Sequence, residues 1–181
     1  MAFVGRSNVG KSSLLNALTK RDLARTSAAA GKTRLANLYK VTIEGGPGGR
    51  GQAGGAGQWS VYFADLPGYG YARGGRASVV ELRNIADAYF GADQTLAGVL
   101  HLVDSRHPGL ASDLEAAKWL QSLPVERAVL ATKIDKLSRA ERVKNLRELE
   151  RQLGMAALPL SAASGEGLDD LWTLIARLSR Y

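Results

Sequence analysis

The chain has 181 residues, 45% hydrophobic and 23% charged, which is the composition of a single ordinary globular domain. It has no cysteine, which excludes disulfide bonds and cysteine-ligated metals, and no apolar run long enough to cross a bilayer, so we expect a cytoplasmic protein without membrane contact. The net charge of +7 lies in residues 1–83, where 12 basic side chains face 4 acidic ones against 12 and 13 in residues 84–181; this favours a polyanionic partner such as nucleic acid, with a solvated surface as the alternative.

The hydrophobic pattern alternates between strands and helices. Strands are predicted at residues 2–4, 38–43, 59–64, 98–103, 128–131 and 157–160. Helices are predicted at residues 11–19, 77–90 and 110–123, then after Ser138 as far as Leu153, and at residues 168–178. The second and third strands follow one another as a hairpin. This order predicts one α/β domain over residues 1–181, with a six-stranded, mostly parallel sheet, one antiparallel edge strand and helices on both faces.

Side-chain patterns add detail to these elements. Ser138 and Glu141 have the spacing of a capping box, and the apolar face of the helix that follows is expected to be Val143, Leu146, Leu149 and Leu153. Four strand aromatics are expected in the core rather than on a base-stacking platform: Tyr39, Trp59, Tyr62 and Phe63. Residues 45–57, GGPGGRGQAGGAG, are interpreted as a mobile glycine-rich hairpin insert, because no helix follows their match to a dinucleotide-binding fingerprint.

Between the first strand and the first helix the chain reads GRSNVGKS, which matches the phosphate-binding pattern G-x-x-x-x-G-K-[ST]. Its glycines let backbone N–H groups surround phosphates at the positive end of the following helix. Lys11 would reach the β- and γ-phosphates, and the Ser12 hydroxyl would ligate Mg²⁺. The motif predicts a P-loop NTPase and does not indicate which base is bound; the phosphate loop is Gly5, Arg6, Ser7, Asn8, Val9, Gly10, Lys11 and Ser12.

The sequence TKID, at the end of the strand 128–131, indicates which base is bound. Asp135 can accept hydrogen bonds from guanine N1–H and N2–H₂, a pair that adenine does not offer. Lys133 would lay its stem over the base. The segment Ser161-Ala162-Ala163, after the last strand, would supply a backbone N–H to guanine O6. Together these segments predict a site for GTP and GDP.

Two loops are expected to respond to the terminal phosphate. Thr33 is the expected second Mg²⁺ ligand, and Asp65 would hold a Mg²⁺-bound water. The Gly68 N–H would contact the γ-phosphate, so these contacts are lost on hydrolysis. The next residue is Tyr69, where the best-known switch enzymes have a Gln that orients the attacking water. The sequence therefore predicts slow unaided hydrolysis.

Five segments together resemble one protein family: GRSNVGKSSLLNAL, GKTR followed by Asn37, DLPGYGYA, LVDSRHP and TKIDKLS. They are similar to the EngB (YihA/YsxC) GTPases of the TrmE–Era–EngA–EngB group, over nearly the whole chain. The resemblance implies a Ras-like G domain in a bacterial GTP-binding protein. Such a protein would act in assembly of the large ribosomal subunit and be required for growth, septation and cell division. Ribosomal RNA would then be the polyanion that meets the surplus cations Arg21, Arg25, Arg34, Lys40, Arg73 and Arg76.

By position, the resemblance also implies a set of GTP contacts beyond the phosphate loop. These are Gly31, Lys32, Thr33, Arg34, Leu35, Asp65, Leu66, Pro67, Gly68, Thr132, Lys133, Ile134, Asp135, Leu160, Ser161 and Ala162. The magnesium ligands would be Ser12 and Thr33, with Asp65 acting through water. Asn8 matches the asparagine that binds potassium in potassium-activated members of the same group. The groups expected in catalysis are thus Lys11, Thr33, Gly68 and Asn8.

Some features depart from the family pattern or leave alternatives open. Ala30 replaces a proline that usually precedes GKT. The chain begins almost inside its first motif, from which we expect a missing N-terminal segment or a misplaced start codon. Asn8 could instead brace the phosphate loop, and the catalytic help could come from the ribosome. The protein, expected to be a monomer, is then either a slow GTPase switch or a GTP-dependent ribosome-binding module with negligible turnover. An ATP-using kinase is disfavoured by TKID.

Overall fold

The structure is a computed structural model that describes residues 1–20, 36–44, 58–70, 80, 83–84 and 96–179. These residues form a six-stranded sheet in the order β2-β3-β1-β4-β5-β6. The strands are β1 (Ala2–Gly5), β2 (Asn37–Glu44), β3 (Gln58–Asp65), β4 (Val99–Asp104), β5 (Arg127–Thr132) and β6 (Ala157–Pro159). β2 pairs antiparallel with β3 at the edge, and every other pairing is parallel. The predicted α/β fold class is confirmed.

Four described helices cover the two faces of the sheet: α1 (Lys11–Thr19), α2 (Ala111–Gln121), α3 (Arg139–Leu153) and α4 (Leu168–Leu178). α1 and α4 pack on one face, where Leu14, Leu15 and Ile175 join Phe3 and Phe63 in the largest core cluster. α2 and α3 pack on the other face, in two clusters with the alternate residues of β1, β4 and β5. Within the described ranges, no helix has the length and apolar character needed to span a membrane.

The ends of α3 agree with the predicted capping chemistry. The Ser138 hydroxyl accepts the Glu141 N–H, and the Glu141 carboxylate accepts the Ser138 N–H, which completes the capping box. Gly154 ends the helix at φ 67°, a left-handed conformation that suits glycine. The boundaries of α3 are therefore set by local sequence.

Two core predictions are wrong. Val143 is 48% exposed and lies beside Pro108 in a surface cavity, so the buried face of α3 is formed by Leu146, Leu149 and Leu153 without it. Tyr62 is 51% exposed, because it points outward from β3 between the inward-facing Val61 and Phe63.

Two other predicted segments extend beyond the described ranges. The predicted helix 77–90 is described only at Val80, Arg83 and Asn84, each of which has helical backbone. The glycine-rich insert 45–57 lies outside the described residues.

The topology brings the predicted motifs to one edge of the sheet. The segments that follow β1, β3, β4, β5 and β6 all leave the carboxyl ends of neighbouring parallel strands. In open α/β sheets this edge is where ligands bind.

Candidate nucleotide-binding site

The phosphate loop has the backbone shape that anion binding requires. Asn8 and Gly10 have positive φ angles of 64° and 109°, which turn successive N–H groups toward one side of the loop. Gly10 precedes α1, whose first turn has neither a side-chain cap nor an acidic residue. The positive end of this helix is therefore left for an anion, as P-loop chemistry requires.

Gly5 is required by close packing at the start of this loop. A Cβ atom there would lie 2.8 Å from the Val9 side chain and 2.9 Å from the Leu102 carbonyl oxygen. The turn from β1 into the loop therefore has no room for a side chain.

Lys11 and Asp65 form the charged centre of the site. The Lys11 ammonium is buried and donates a hydrogen bond to the Gly5 carbonyl at 3.1 Å. Burial lowers the pKa of Lys11, and the negative charge of Asp65 opposes that shift. Burial likewise raises the pKa of Asp65, and the charge of Lys11 opposes it. Each group thus favours the charged form of the other, although burial has the larger effect on both pKa values.

The same centre has donors that fit a magnesium ion. Among the described residues, the buried Asp65 Oδ1 has no hydrogen-bond partner, and a buried carboxylate oxygen of this kind is satisfied by a cation or its bound water. Ser12, in the first turn of α1, supplies a hydroxyl at the position where P-loops ligate Mg²⁺. The oxygen chemistry of Asp65 and Ser12 is the kind that Mg²⁺ prefers. Thr33, the predicted second ligand, lies outside the described residues.

The segment after β3 packs directly on the phosphate loop. The Ser7 N–H donates to the Tyr69 carbonyl at 2.9 Å, and the Ser7 hydroxyl donates to the Gly68 carbonyl at 3.3 Å. A Cβ on Gly68 would lie 2.8 Å from the Ser7 backbone nitrogen, so this approach requires glycine. The predicted γ-phosphate sensor is therefore fastened to the loop that would hold the phosphates.

TKID is tied to the phosphate loop by its first two side chains. The Thr132 hydroxyl donates to the Val9 carbonyl at 2.8 Å. The Lys133 ammonium donates to the Asn8 carbonyl and to Asp104 Oδ2, the latter at 3.0 Å. The predicted base site and phosphate site are thus one connected structure.

Asp135 is held in place by the loop after β6. The Ser161 hydroxyl donates to Asp135 Oδ1 at 2.6 Å, and Lys136 lies 3.3 Å from Oδ2. The hydrogen bond from Ser161 is the main reason that the pKa of Asp135 is lowered. This carboxylate is therefore ionised and oriented, as an acceptor of guanine N–H groups must be.

The loop after β6 leaves one N–H group for a ligand. The Ser161 N–H donates to the Glu166 carbonyl, and the Ala163 N–H donates to the Ser161 hydroxyl. Within the described part of the chain, the Ala162 N–H has no acceptor. Of the predicted segment Ser161-Ala162-Ala163, Ala162 is thus the residue whose N–H can reach guanine O6.

The predicted site residues fall into two groups. One group comes together at this edge of the sheet: the residues of the phosphate loop and of the segments after β3, β5 and β6. Backbone hydrogen bonds from Leu66 to Phe3 and from Ile134 to Leu160 attach two of these segments. Gly31, Lys32, Thr33, Arg34 and Leu35 lie outside the described residues. Contact of each residue with GTP stays a prediction.

Asp104 is a site residue that reasoning from single motifs did not identify. It is 2% exposed, and it binds Lys133 at 3.0 Å and the Arg106 guanidinium at 2.8 Å. Although burial alone would raise its pKa, the hydrogen bonds from Arg106 and Lys133 hold the pKa of Asp104 well below its usual range. Its only sequence signal was its place in LVDSRHP, where it carried the family resemblance.

Comparison with known proteins identifies relatives of this chain. A family model described as "50S ribosome-binding GTPase" matches residues 1–133. The chain is 43% identical over 183 residues to a "Probable GTP-binding protein EngB" of Anaeromyxobacter sp. (strain K), covering 99% of this chain and 82% of that protein. It is 38% identical over 182 residues to the protein of the same description from Thermotoga maritima, covering 98% and 85%. A crystal structure of Era in complex with MgGDPNP and nucleotides 1506–1542 of 16S ribosomal RNA superposes with a TM-score of 0.72 at 26% identity, covering 98% of this chain and 55% of Era.

Proposed function

This chain belongs to the EngB family of GTP-binding proteins and is a GTPase, and from that premise we propose that it acts as a slow GTP-dependent switch in assembly of the bacterial large ribosomal subunit. Membership in a GTPase family favours this role over that of a module with negligible turnover. In the proposed role the protein works in the cytoplasm as a monomer, and its loss impairs growth, septation and cell division.

The described residues support slow hydrolysis for a physical reason. The Lys11 ammonium and the N–H groups at the start of α1 would stabilise the charge that develops on the transferring phosphoryl group. Magnesium, when bound, would neutralise phosphate charge and would be held by Ser12 and, through water, by Asp65. No Gln follows Gly68, and the Tyr69 hydroxyl is turned into the core, where it contacts His101 and Asp113. Within the described residues, the site thus has groups that stabilise charge, and the position after Gly68 supplies none that orients the attacking water.

One observation carries the ribosomal part of the proposal: residues 1–133 match a family model of 50S ribosome-binding GTPases. The excess of basic residues in residues 1–83 adds an electrostatic reason, because each phosphate contacted by Lys or Arg releases a counterion. Lys40, one of the surplus cations, is exposed on β2 opposite Tyr62 of β3. Leu38, two residues before Lys40, is 53% exposed on the same outer face. Exposed aromatic and cationic side chains in one place suit contact with RNA.

Co-sedimentation with large ribosomal subunits tests the proposal. We expect binding under a non-hydrolysable GTP analogue to exceed binding under GDP, and to fall steeply as salt is raised. Lys40→Glu, and separately the double variant Arg73→Glu/Arg76→Glu, should reduce binding while GTP affinity is unchanged. Lys144→Glu is the matched control, because it makes the same charge change at an exposed lysine in the half without surplus charge. If Lys40→Glu and Arg73→Glu/Arg76→Glu both sediment with the subunits as the unaltered protein does, the ribosomal role is refuted.

A further inference from the structure

The complete burial of Tyr69 is not explained by a role in hydrolysis. Tyr69 follows Gly68 directly, at the start of a predicted switch, yet its side chain is 0% exposed. The ring packs with Val4, Val99 and Leu120 in the cluster between the sheet and α2. A residue that only linked a moving loop to the sheet would not need a ring buried this deeply.

The hydroxyl of Tyr69 joins two other elements. It lies 2.8 Å from Asp113 Oδ1, in the first turn of α2, and 2.8 Å from His101 Nε2, on β4. Because the hydroxyl has one proton and donates it to Asp113, it accepts a hydrogen bond from His101, whose Nε2 therefore carries hydrogen. Burial lowers the pKa of His101 to about 4, so its ring is neutral and this arrangement is stable near pH 7.

Two neighbouring groups favour the ionised form of Asp113 against its burial. Burial and the negative charge of Asp104 raise the pKa of Asp113, while the hydrogen bond from Tyr69 and the positive charge of Arg6 oppose that shift. The phenol pKa of Tyr69 is raised well above its usual value by burial and by Asp113. A charge-assisted hydrogen bond between a neutral phenol and a buried carboxylate is strong and directional.

The backbone of Tyr69 is fixed on the opposite side. Its carbonyl accepts the Ser7 N–H, and Arg6 and Tyr69 form an isolated parallel bridge between the two segments. Gly70 follows at φ 89°, where a Cβ would lie 2.9 Å from the Arg6 side chain. Tyr69 is therefore held by its side chain to β4 and α2 and by its backbone to the phosphate loop.

We propose that Tyr69 is a positioning residue for the γ-phosphate sensor, because its anchoring to Asp113 and His101 fixes the Gly68 N–H against the phosphate loop. The inference rests on the predicted contact of Gly68 with the γ-phosphate, and it does not depend on any role of the ribosome. Removal of the anchor should loosen Gly68 and weaken binding of the triphosphate more than binding of GDP, which has no γ-phosphate to contact.

The test measures affinities for GDP and for a non-hydrolysable GTP analogue by fluorescence titration, without ribosomes. Tyr69→Phe removes one oxygen atom and keeps the ring. We expect the ratio of analogue affinity to GDP affinity to fall about tenfold, the size of an ordinary coupling between two sites. Thr173→Val also removes one hydroxyl group, at an exposed position of α4, and should leave the ratio at its original value.

A second set of variants separates positioning from simple core packing. Asp113→Ala should lower the same ratio, and adding it to Tyr69→Phe should cause little further loss, since both variants break one hydrogen bond. Asp113→Asn, which keeps an acceptor oxygen, should recover part of the ratio and also serves if Tyr69→Phe does not fold. Equal loss of affinity for both nucleotides, or a ratio that stays at the original value while thermal stability falls, would overturn the inference.

Discussion

Replacement of Asp104 should weaken the binding of all guanine nucleotides, because this carboxylate holds Lys133, which is predicted to lie over the base. Asp104 receives hydrogen bonds from the Arg106 N–H at 3.1 Å, from its guanidinium at 2.9 and 2.8 Å, and from Lys133 at 3.0 Å. Lys133 has a second acceptor in the Asn8 carbonyl. Loss of the carboxylate therefore releases Lys133 from β4 while leaving it in contact with the phosphate loop.

The expected magnitude follows from what each variant retains. Asp104→Asn keeps an acceptor oxygen and loses the charge; since hydrogen bonds to charged groups are worth about 1 kcal/mol more than neutral ones, affinity should fall roughly fivefold. Asp104→Ala leaves two cations without their buried partner, which costs about 3 kcal/mol or more when such a pair is fully buried. Lys133 is 27% and Arg106 39% exposed, so water replaces part of that loss. Only the part that orders Lys133 enters nucleotide affinity, and we expect affinity to fall by roughly tenfold.

The assay is fluorescence titration with labelled GDP and with a labelled non-hydrolysable GTP analogue. Both nucleotides should lose affinity by the same factor, because the base is common to them. Glu148→Gln is the matched control: Glu148 pairs with the 70% exposed Arg151 on the outside of α3, so its replacement should leave affinity unchanged.

Two results would refute this reasoning about Asp104. One is an Asp104→Ala protein that binds GDP as tightly as the unaltered protein while folding normally. The other is a loss confined to the GTP analogue, which would place the effect of Asp104 at the γ-phosphate. Either outcome would mean that the contact between Asp104 and Lys133 does not support the base site.

Three further predictions concern single residues. Asp135→Asn should weaken GTP binding and admit xanthosine triphosphate, whose 2-oxo group needs an amide donor; unchanged GTP affinity in a titration would place base recognition elsewhere. If Asn8 binds a potassium ion, the GTPase rate should be higher in potassium than in sodium at equal ionic strength. Asn8→Gly should abolish that difference without backbone strain, because glycine tolerates the observed φ of 64°. A potassium effect that survives in this variant would exclude the Asn8 side chain as the ligand. Folding stability should decrease as pH falls from 6.5 toward 4, because His101 is protonated in the unfolded chain and stays neutral in the folded chain, where burial lowers its pKa to about 4. His101→Gln should reduce the dependence of the unfolding free energy on pH, measured by chemical denaturation. An identical dependence in the variant would show that other groups set it.

Much of the site could be predicted because its motifs are local. The turn from β1 into α1 needs glycine at positions 5 and 10 and a lysine next to the latter, and all three lie within eight residues. The order of strands and helices then forces the segments after β1, β3, β5 and β6 to the same edge of a parallel sheet. The types of the described elements were therefore predictable, with ends that differ from those observed by no more than two residues.

The errors come from positions where exposure depends on a neighbouring element. Val143 has helical spacing with Leu146, but this turn of α3 lies beside Pro108 at the surface rather than against the sheet. Tyr62 lies between Val61 and Phe63, so the period of two in β3 places its side chain outward. The prediction of burial followed from its aromatic ring and not from that period. Hydrophobicity predicts that a side chain favours burial. It does not predict whether another helix or strand lies against that side chain.

The sequence alone determined the P-loop, the guanine-binding motif and the alternating α/β order, because each depends on spacing within a few residues or on a short period. It also showed that Tyr69 lacks the amide of a catalytic Gln. The tertiary structure decided what Tyr69 does instead, since its partners His101 and Asp113 are 32 and 44 residues away in the chain. Contacts at such separation depend on how β4 and α2 pack beside the phosphate loop, and no local pattern in a single sequence encodes that packing.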